Sequence, residues 1–364
     1  MVSPPTHAHA SWHVERATSL REIWARIAVF AGPVGAWRLT GVCRAAREGV
    51  KEHLRSLPGL VVVYEGTEAA VWTESDVWRL DMASLQWEPM PALVTARIYH
   101  ACCAVRGSVA VIGGDTIDVG DEREYTATAS VQAISSREGA VFVTLPPLSC
   151  GGIYGAAAIA VEESDSAAGQ VLLLGGVDSI SRQLSMVQLV DLATGVCTPQ
   201  PHLLHSRMLS AAARLPDGRV VCVGGIGGRS SAEVWGPPEQ GAQDAAWTWT
   251  EMTAMSIARH GCSGCVMSDG RFAVLGGWTI TSNGIMSSCE ALTMGDSCTH
   301  WEPLPPMHDT RENFACAAMA GCIIVAGGVD RQSAEVYDEV LGRWLRLPRD
   351  LPHVDRWGMS GALL

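Results

Sequence analysis

The chain reads as mainly β, a six-bladed β-propeller behind a small α-helical unit, and three observations predict this. A Gly-Gly doublet closes an apolar run about every fifty residues, a pair of bulky apolar residues follows most doublets, and an arginine opens most of the strands that come next. A period of this length marks repeated β units, each of which can bury its faces only against its neighbours.

The doublets are Gly113-Gly114, Gly175-Gly176, Gly224-Gly225, Gly276-Gly277 and Gly327-Gly328, preceded by VAVI, VLLL, VVCV, FAVL and IIVA. An earlier copy, Leu60 to Tyr64 followed by Glu65-Gly66, has the first glycine replaced and brings the count to six. These glycines are structural: they permit close backbone approach where a side chain would clash. A second strand follows, and its bulky residue has a partner further on: Leu80 with Trp87, Val190 with Cys197, Trp235 with Trp249, Leu292 with Trp301, Tyr337 with Trp344. The second copy is the poorest, with Phe142 in the tryptophan slot. The tryptophans are expected to pack between units.

A proline-containing turn usually ends the outer strand, since proline cannot donate to a ladder. Arg97, Arg207, Arg259, Arg311 and Arg356 then open the next strand, with Gly152 in that slot in the remaining copy. From there a hairpin with turns such as RGS, PDGR and SDGR leads back to the next doublet, glycine supplying the positive φ of a tight turn. Each unit therefore has four strands. The first unit lacks its arginine strand, whereas the chain ends on one, 356–364, with nothing after it. The last strand is expected to complete the first blade and close the ring, which removes exposed edges.

This combination resembles the kelch family over about residues 59–364. The resemblance implies a shared fold and a binding platform, since kelch domains include actin binders, oxidases and substrate receptors. In ligand-binding kelch domains arginines at similar positions line the channel mouth. By that analogy Arg97, Arg207, Arg259, Arg311 and Arg356 are substrate-binding candidates, suited to carboxylate or phosphate. A structural reading stands beside it. Glu233, Glu290 and Glu335 share one equivalent position, with Gln132 and Gln188 in two more blades, so a repeated Arg–Glu pair between blades would serve as glue.

Composition narrows the function. The chain has 364 residues, 48% hydrophobic, and a formal net charge of −12, with no apolar run long enough for a membrane span. Residues 18–58 hold seven Arg/Lys against three Asp/Glu, so the acidity sits in the propeller, which argues against a nucleic-acid partner. The start, MVSPPTHAHASWHVER, has no basic stretch followed by an apolar one, so no secretory signal is expected, and residues 1–17 read as a disordered leader. Twelve cysteines in such a chain are expected to be reduced thiols of a cytoplasmic or nuclear protein. Cys262 and Cys265 lie three apart on a predicted strand and so point to opposite faces; neither a metal nor another cofactor is expected. No nucleophile, base and metal set appears, so any catalysis is expected from partners. Lys51 is the only lysine, which fits an arginine-rich codon bias.

Residues 18–58 have helical periodicity on either side of Gly32-Pro33. Some forty residues are too few for an independent core, so this unit should lean on a partner or on the propeller. Leu20, Ile23, Ile27 and Phe30, the Pro33 turn, then Trp37, Leu39, Val42, Cys43 and Arg44 resemble an F-box, with Arg21 in place of the usual proline and Ala46 in place of the usual tryptophan. The resemblance implies docking to the Skp adaptor of a cullin-RING ubiquitin ligase through Leu20, Ile23, Ile27, Leu39, Val42 and Cys43; alternatively these side chains pack helix on helix or cap the propeller. The expected function is substrate receptor of such a ligase, with a protein substrate on the propeller. The alternative is a kelch scaffold with capping helices.

Overall fold

A computed structural model describes residues 7–64, 76–118, 124–161, 166–237, 246–294, 299–352 and 359–364. Among these residues six four-stranded antiparallel sheets form a six-bladed propeller behind two N-terminal helical segments. The innermost strands are Met359–Leu363, Ala101–Val105, Ala157–Val161, Ala211–Arg214, Ser263–Val266 and Ala315–Met319. Each touches the next in that order and the last touches the first, so they enclose a central channel. Met359–Leu363 pairs with Leu60–Tyr64, Leu60 opposite Leu363 and Tyr64 opposite Met359, which makes the C-terminal strand the fourth of the first blade.

Local chemistry explains the repeat. In the last blade Cys322–Ala326 is buried along its whole length because blades cover both of its faces. Such strands read as continuous apolar runs rather than as alternation. Tight turns join the inner two strands, with Gly218 and Gly270 at φ 91° and 87° and the Asp217 and Asp269 carboxylates accepting from the Arg219 and Arg271 amides. The bulky pairs face each other directly: Leu80 with Trp87, Val190 with Cys197, Trp235 with Trp249, Leu292 with Trp301, Tyr337 with Trp344.

The tryptophans also tie blades together. The indole N–H groups of Trp87, Trp249, Trp301 and Trp344 donate to the carbonyls of Arg349, Pro201, Thr253 and Pro305, each on the rim of the preceding blade, at 3.2, 2.9, 2.8 and 2.8 Å. A buried ring with one polar edge suits this seam, because the ring fills space and the N–H finds a partner.

The first helix runs His7–Leu39 and is broken at Gly32, whose φ of 65° and ψ of 173° are not helical. Pro33 restarts it, having no N–H to lose at a first helical position. The helix begins inside the segment read as a disordered leader: past Pro5 there is no proline or glycine until Gly32, so nothing in the sequence breaks it. The second helix, Arg44–Ser56, is capped by Cys43, whose sulfur accepts from the Ala46 amide. Gly49 lies against the Arg21 backbone, and Ala28, Ala36, Val50 and Leu54 form a small core between the helices. The unit sits on the propeller: Val34 joins the core shared by the first and last blades, and the Trp37 indole donates to the Met82 carbonyl at 2.8 Å.

Two substitutions test this framework. A Cβ on Gly276, at φ 55°, would stand 2.6 Å from the Arg311 carbonyl oxygen of the next blade. Gly276→Ala is therefore expected to cost about 2–3 kcal/mol in urea unfolding. Trp344→Phe keeps the ring but loses the N–H bond, and is expected to cost about 1 kcal/mol in the same measurement.

Candidate functional site

The strand-opening arginines lie on the face where the diglycines end their strands. Their arrangement corrects the sequence expectation. Arg97, Arg207, Arg259 and Arg311 are 1%, 0%, 2% and 0% exposed, so they are not presented to a ligand; Arg356 lies outside the described residues. One terminal nitrogen of each donates to the first carbonyl of its own blade's diglycine, Gly113, Gly224, Gly276 or Gly327, at 2.9, 2.6, 2.9 and 2.7 Å. The same nitrogen reaches the carbonyl of Ser130, Ser231, Ser288 or Ser333, and the other terminal nitrogen meets that serine's hydroxyl. A guanidinium suits this corner because it carries five donors in one plane.

Carboxylates complete the clasp in three blades. Arg207 pairs with Glu233 at 2.6 Å, Arg259 with Glu290 and Arg311 with Glu335 at 2.8 Å. The pair lies within one blade, not between blades as the sequence suggested. Each Glu also accepts a backbone N–H from the incoming loop, of Leu204, Ser256 or His308. Burial works to raise the Glu335 carboxyl, but the Arg311 bond, the Arg311 charge and the His308 bonds hold it below the ordinary glutamate value. For Arg311 burial dominates and lowers the guanidinium, against the pull of Glu335.

Two blades depart from this. Gln132 takes the glutamate place opposite Arg97; its Oε1 accepts from the Val94 amide at 2.9 Å and its Nε2 is left without a partner. Burial brings Arg97 down to about 10, still a cation at neutral pH. In the next blade the arginine slot falls to Ile153 rather than Gly152. The Gly114 amide bonds the Ile153 carbonyl just as Gly176 bonds Arg207, Gly225 bonds Arg259 and Gly277 bonds Arg311. That blade has Gln188 instead of Glu, so both charges are absent together. A buried carboxylate without its cation would be costly.

The channel mouth is built from the residues two and three places after each arginine, which the sequence reading passed over. Tyr99, Gly155, Leu209, Gly261 and Asn313 all have positive φ, between 49° and 64°. They are linked around the ring by backbone bonds of 2.7–2.9 Å: Gly155 to Tyr99, Leu209 to Gly155, Gly261 to Leu209, Asn313 to Gly261, and Met359 to Asn313. Inside this rim lie His100, Ser210, Cys262, Phe314 and Ser360, around adjoining cavities of about 130 and 180 Å³. Burial, aided by the Arg97 charge, pushes His100 down to about 3, so its ring is neutral at physiological pH. At the rim His260 and Glu312 approach to 3.8 Å; burial lowers the one and raises the other, so both move toward neutrality. The mouth therefore offers hydroxyls, an amide and a neutral imidazole, not a ring of cations.

Cys262, just before the strand Ser263–Val266, and Cys265 on it enter different apolar clusters, on opposite faces of the blade. Among the described residues no three His, Cys, Asp or Glu side chains converge as a metal site would require.

The helical unit carries a second candidate surface. Leu20, Ile23 and Ile27 are 42%, 50% and 40% exposed, Val42 is 60% exposed and Cys43 is exposed. Leu39 differs: it is half-buried against the core between the helices. Phe30, 92% exposed, extends the apolar surface.

No protein-family profile matches the chain. Over 60 residues, 16% of this chain and 10% of the relative, it is 32% identical to human Kelch-like protein 30. The solved structure titled "Structure of YjhT" superposes with a TM-score of 0.57 at 12% identity, covering 75% of this chain and 91% of that one. These likenesses agree with a kelch-like propeller, a fold consistent with a protein-interaction or scaffold module.

The clasp generates a prediction with a sign. Glu335 has a depressed folded pKa, so its stabilisation is present above the unfolded glutamate value of about 4.3 and is lost as pH falls through the lower folded value. Glu335→Gln is expected to cost about 3–5 kcal/mol at pH 7 and much less near pH 3. Gln132→Glu places a carboxylate opposite the Arg97 guanidinium, as in the three clasped blades, and is expected to stabilise by about 1–3 kcal/mol at pH 7. Urea unfolding of each variant at the two pH values reads both.

Proposed function

We propose that the chain is a non-catalytic protein-interaction module in which the propeller holds one protein and the helical unit docks another. In the finer reading the docked protein is a Skp-type adaptor, and the chain is the substrate receptor of a cullin-RING ubiquitin ligase. The observation that carries this is the apolar surface of Leu20, Ile23, Ile27, Phe30 and Val42, left in water on a unit whose own core is already filled by Ala28, Ala36, Val50 and Leu54. Large apolar side chains left exposed on one small unit in this way mark an interaction site. The receptor would act by proximity, holding a substrate lysine near a charged conjugating enzyme, with no chemistry of its own. The channel mouth, with its hydroxyls and neutral His100, is where the propeller would meet a polar uncharged segment of that substrate.

A scaffold whose helices only cap the ring is supported by Val34 in the propeller core and by the Trp37 bond to Met82. These contacts use a different surface from the exposed one, so capping and docking are compatible.

Purified Skp adaptor should be retained by the full chain, and at least tenfold less by a Leu20→Ala/Ile27→Ala/Val42→Ala variant whose circular dichroism matches the parent. Equal retention by both would place the contact elsewhere. Retention by neither would leave the capped scaffold.

A further inference from the structure

The seam between the second and third blades is built differently from the others. In four blades an indole N–H reaches the rim of the preceding blade, but in the third blade Cys197 stands at that position, opposite Val190. The preceding rim closes in instead: the Ser149 amide donates to the Gly195 carbonyl, and the Cys197 amide donates to the Ser149 hydroxyl, each at 2.9 Å. The next residue, Cys150, is exposed, and the Cys197 thiol donates to the same Gly195 carbonyl that takes the Ser149 amide, at 3.6 Å, so the two cysteines lie on either side of one backbone seam. Two free thiols from different blades thus meet at the surface where a tryptophan would otherwise stand. Gly151 beside them has open space around it, so the loop can adjust.

We propose that Cys197 and Cys150 form a reversible interblade disulfide, with Cys197 as attacking thiol, Cys150 as resolving thiol and a low-molecular-weight disulfide such as oxidised glutathione as oxidant. The Cys197 thiolate attacks one sulfur of the oxidant, forming a mixed disulfide and expelling one glutathione thiolate. Cys150 then loses its proton and attacks the Cys197 sulfur, expelling the second. Two protein thiols are oxidised, one glutathione disulfide is reduced, and the two thiol protons end on the two glutathiones. Cys150 beside it lowers the Cys197 thiol against the effect of burial, with Ser149 assisting, which favours the thiolate at Cys197 over that at Cys150. Burial instead raises Cys103, Cys222, Cys262, Cys289 and Cys322, which keeps them protonated and inert.

The full chain should be incubated with excess oxidised glutathione, blocked with an alkylating reagent, digested without reductant and mapped by mass spectrometry. A linked Cys150–Cys197 peptide, lost on reduction, is expected. Cys150→Ser should accumulate one glutathione on Cys197, and Cys197→Ser should take up glutathione at Cys150 about fivefold more slowly or worse. Circular dichroism of both variants accompanies the rates, while the parent peptide map needs no variant. Both cysteines alkylated in the parent after oxidation, a link between other cysteines, or an unmodified Cys197 in Cys150→Ser would overturn the proposal.

Discussion

Around the channel mouth, each of Gly113-Gly114, Gly224-Gly225 and Gly276-Gly277 is held from two sides at once, and the ring depends on that arrangement. Its first carbonyl accepts from the arginine of its own blade, and its second N–H donates to the backbone of the next blade at the arginine position. The arginine is therefore both a side chain that closes one blade and a backbone carbonyl that receives another. Side chains at the glycines would separate the two, because the neighbouring backbone already occupies the space where a Cβ would go. In three blades the buried guanidinium is balanced by Glu233, Glu290 or Glu335 and its terminal nitrogens meet serine, although the Nε of Arg259 and of Arg311 is left without a partner. A position that looks like a recognition ring is thus consumed by the architecture.

Recognition is displaced outward by two or three residues. The left-handed turn after each arginine aims Tyr99, Leu209 and Asn313 around the rim and lets His100 and Ser210 look into the channel. Because these residues differ from blade to blade while the clasp behind them repeats, the mouth can vary in chemistry without loss of the ring. The helices attach near the opposite ends of the strands, at Met82 and near Ala320, so the two candidate surfaces do not compete.

The departures from the repeat gather on one side. Gln132 and Phe142 in the second blade, then Ile153, Gln188 and Cys197 in the third, remove the ion pair and the indole bond that other blades use. Backbone bonds still carry the ring through this seam, which explains why it survives. The compensations are local: an apolar residue where the cation is gone, and paired thiols where the indole is gone.

The number of blades, the strands of each, the closing role of the C-terminal strand and the break at Gly32 were legible in the sequence. Each rests on periodicity or on backbone conformation, which are local and repeat six times. The glycine places and the Trp pairings were legible for the same reason. What the arginines do was not, since bonding inside the blade and pointing into the channel require the same residue at the same spacing. Which glutamate faces which arginine, the shift of the empty slot from Gly152 to Ile153, the identity of the rim residues and the meeting of Cys150 with Cys197 were decided only by the tertiary structure. Each depends on the distance between atoms of segments about 25–50 residues apart, and neither charge, period nor composition along the chain contains that distance.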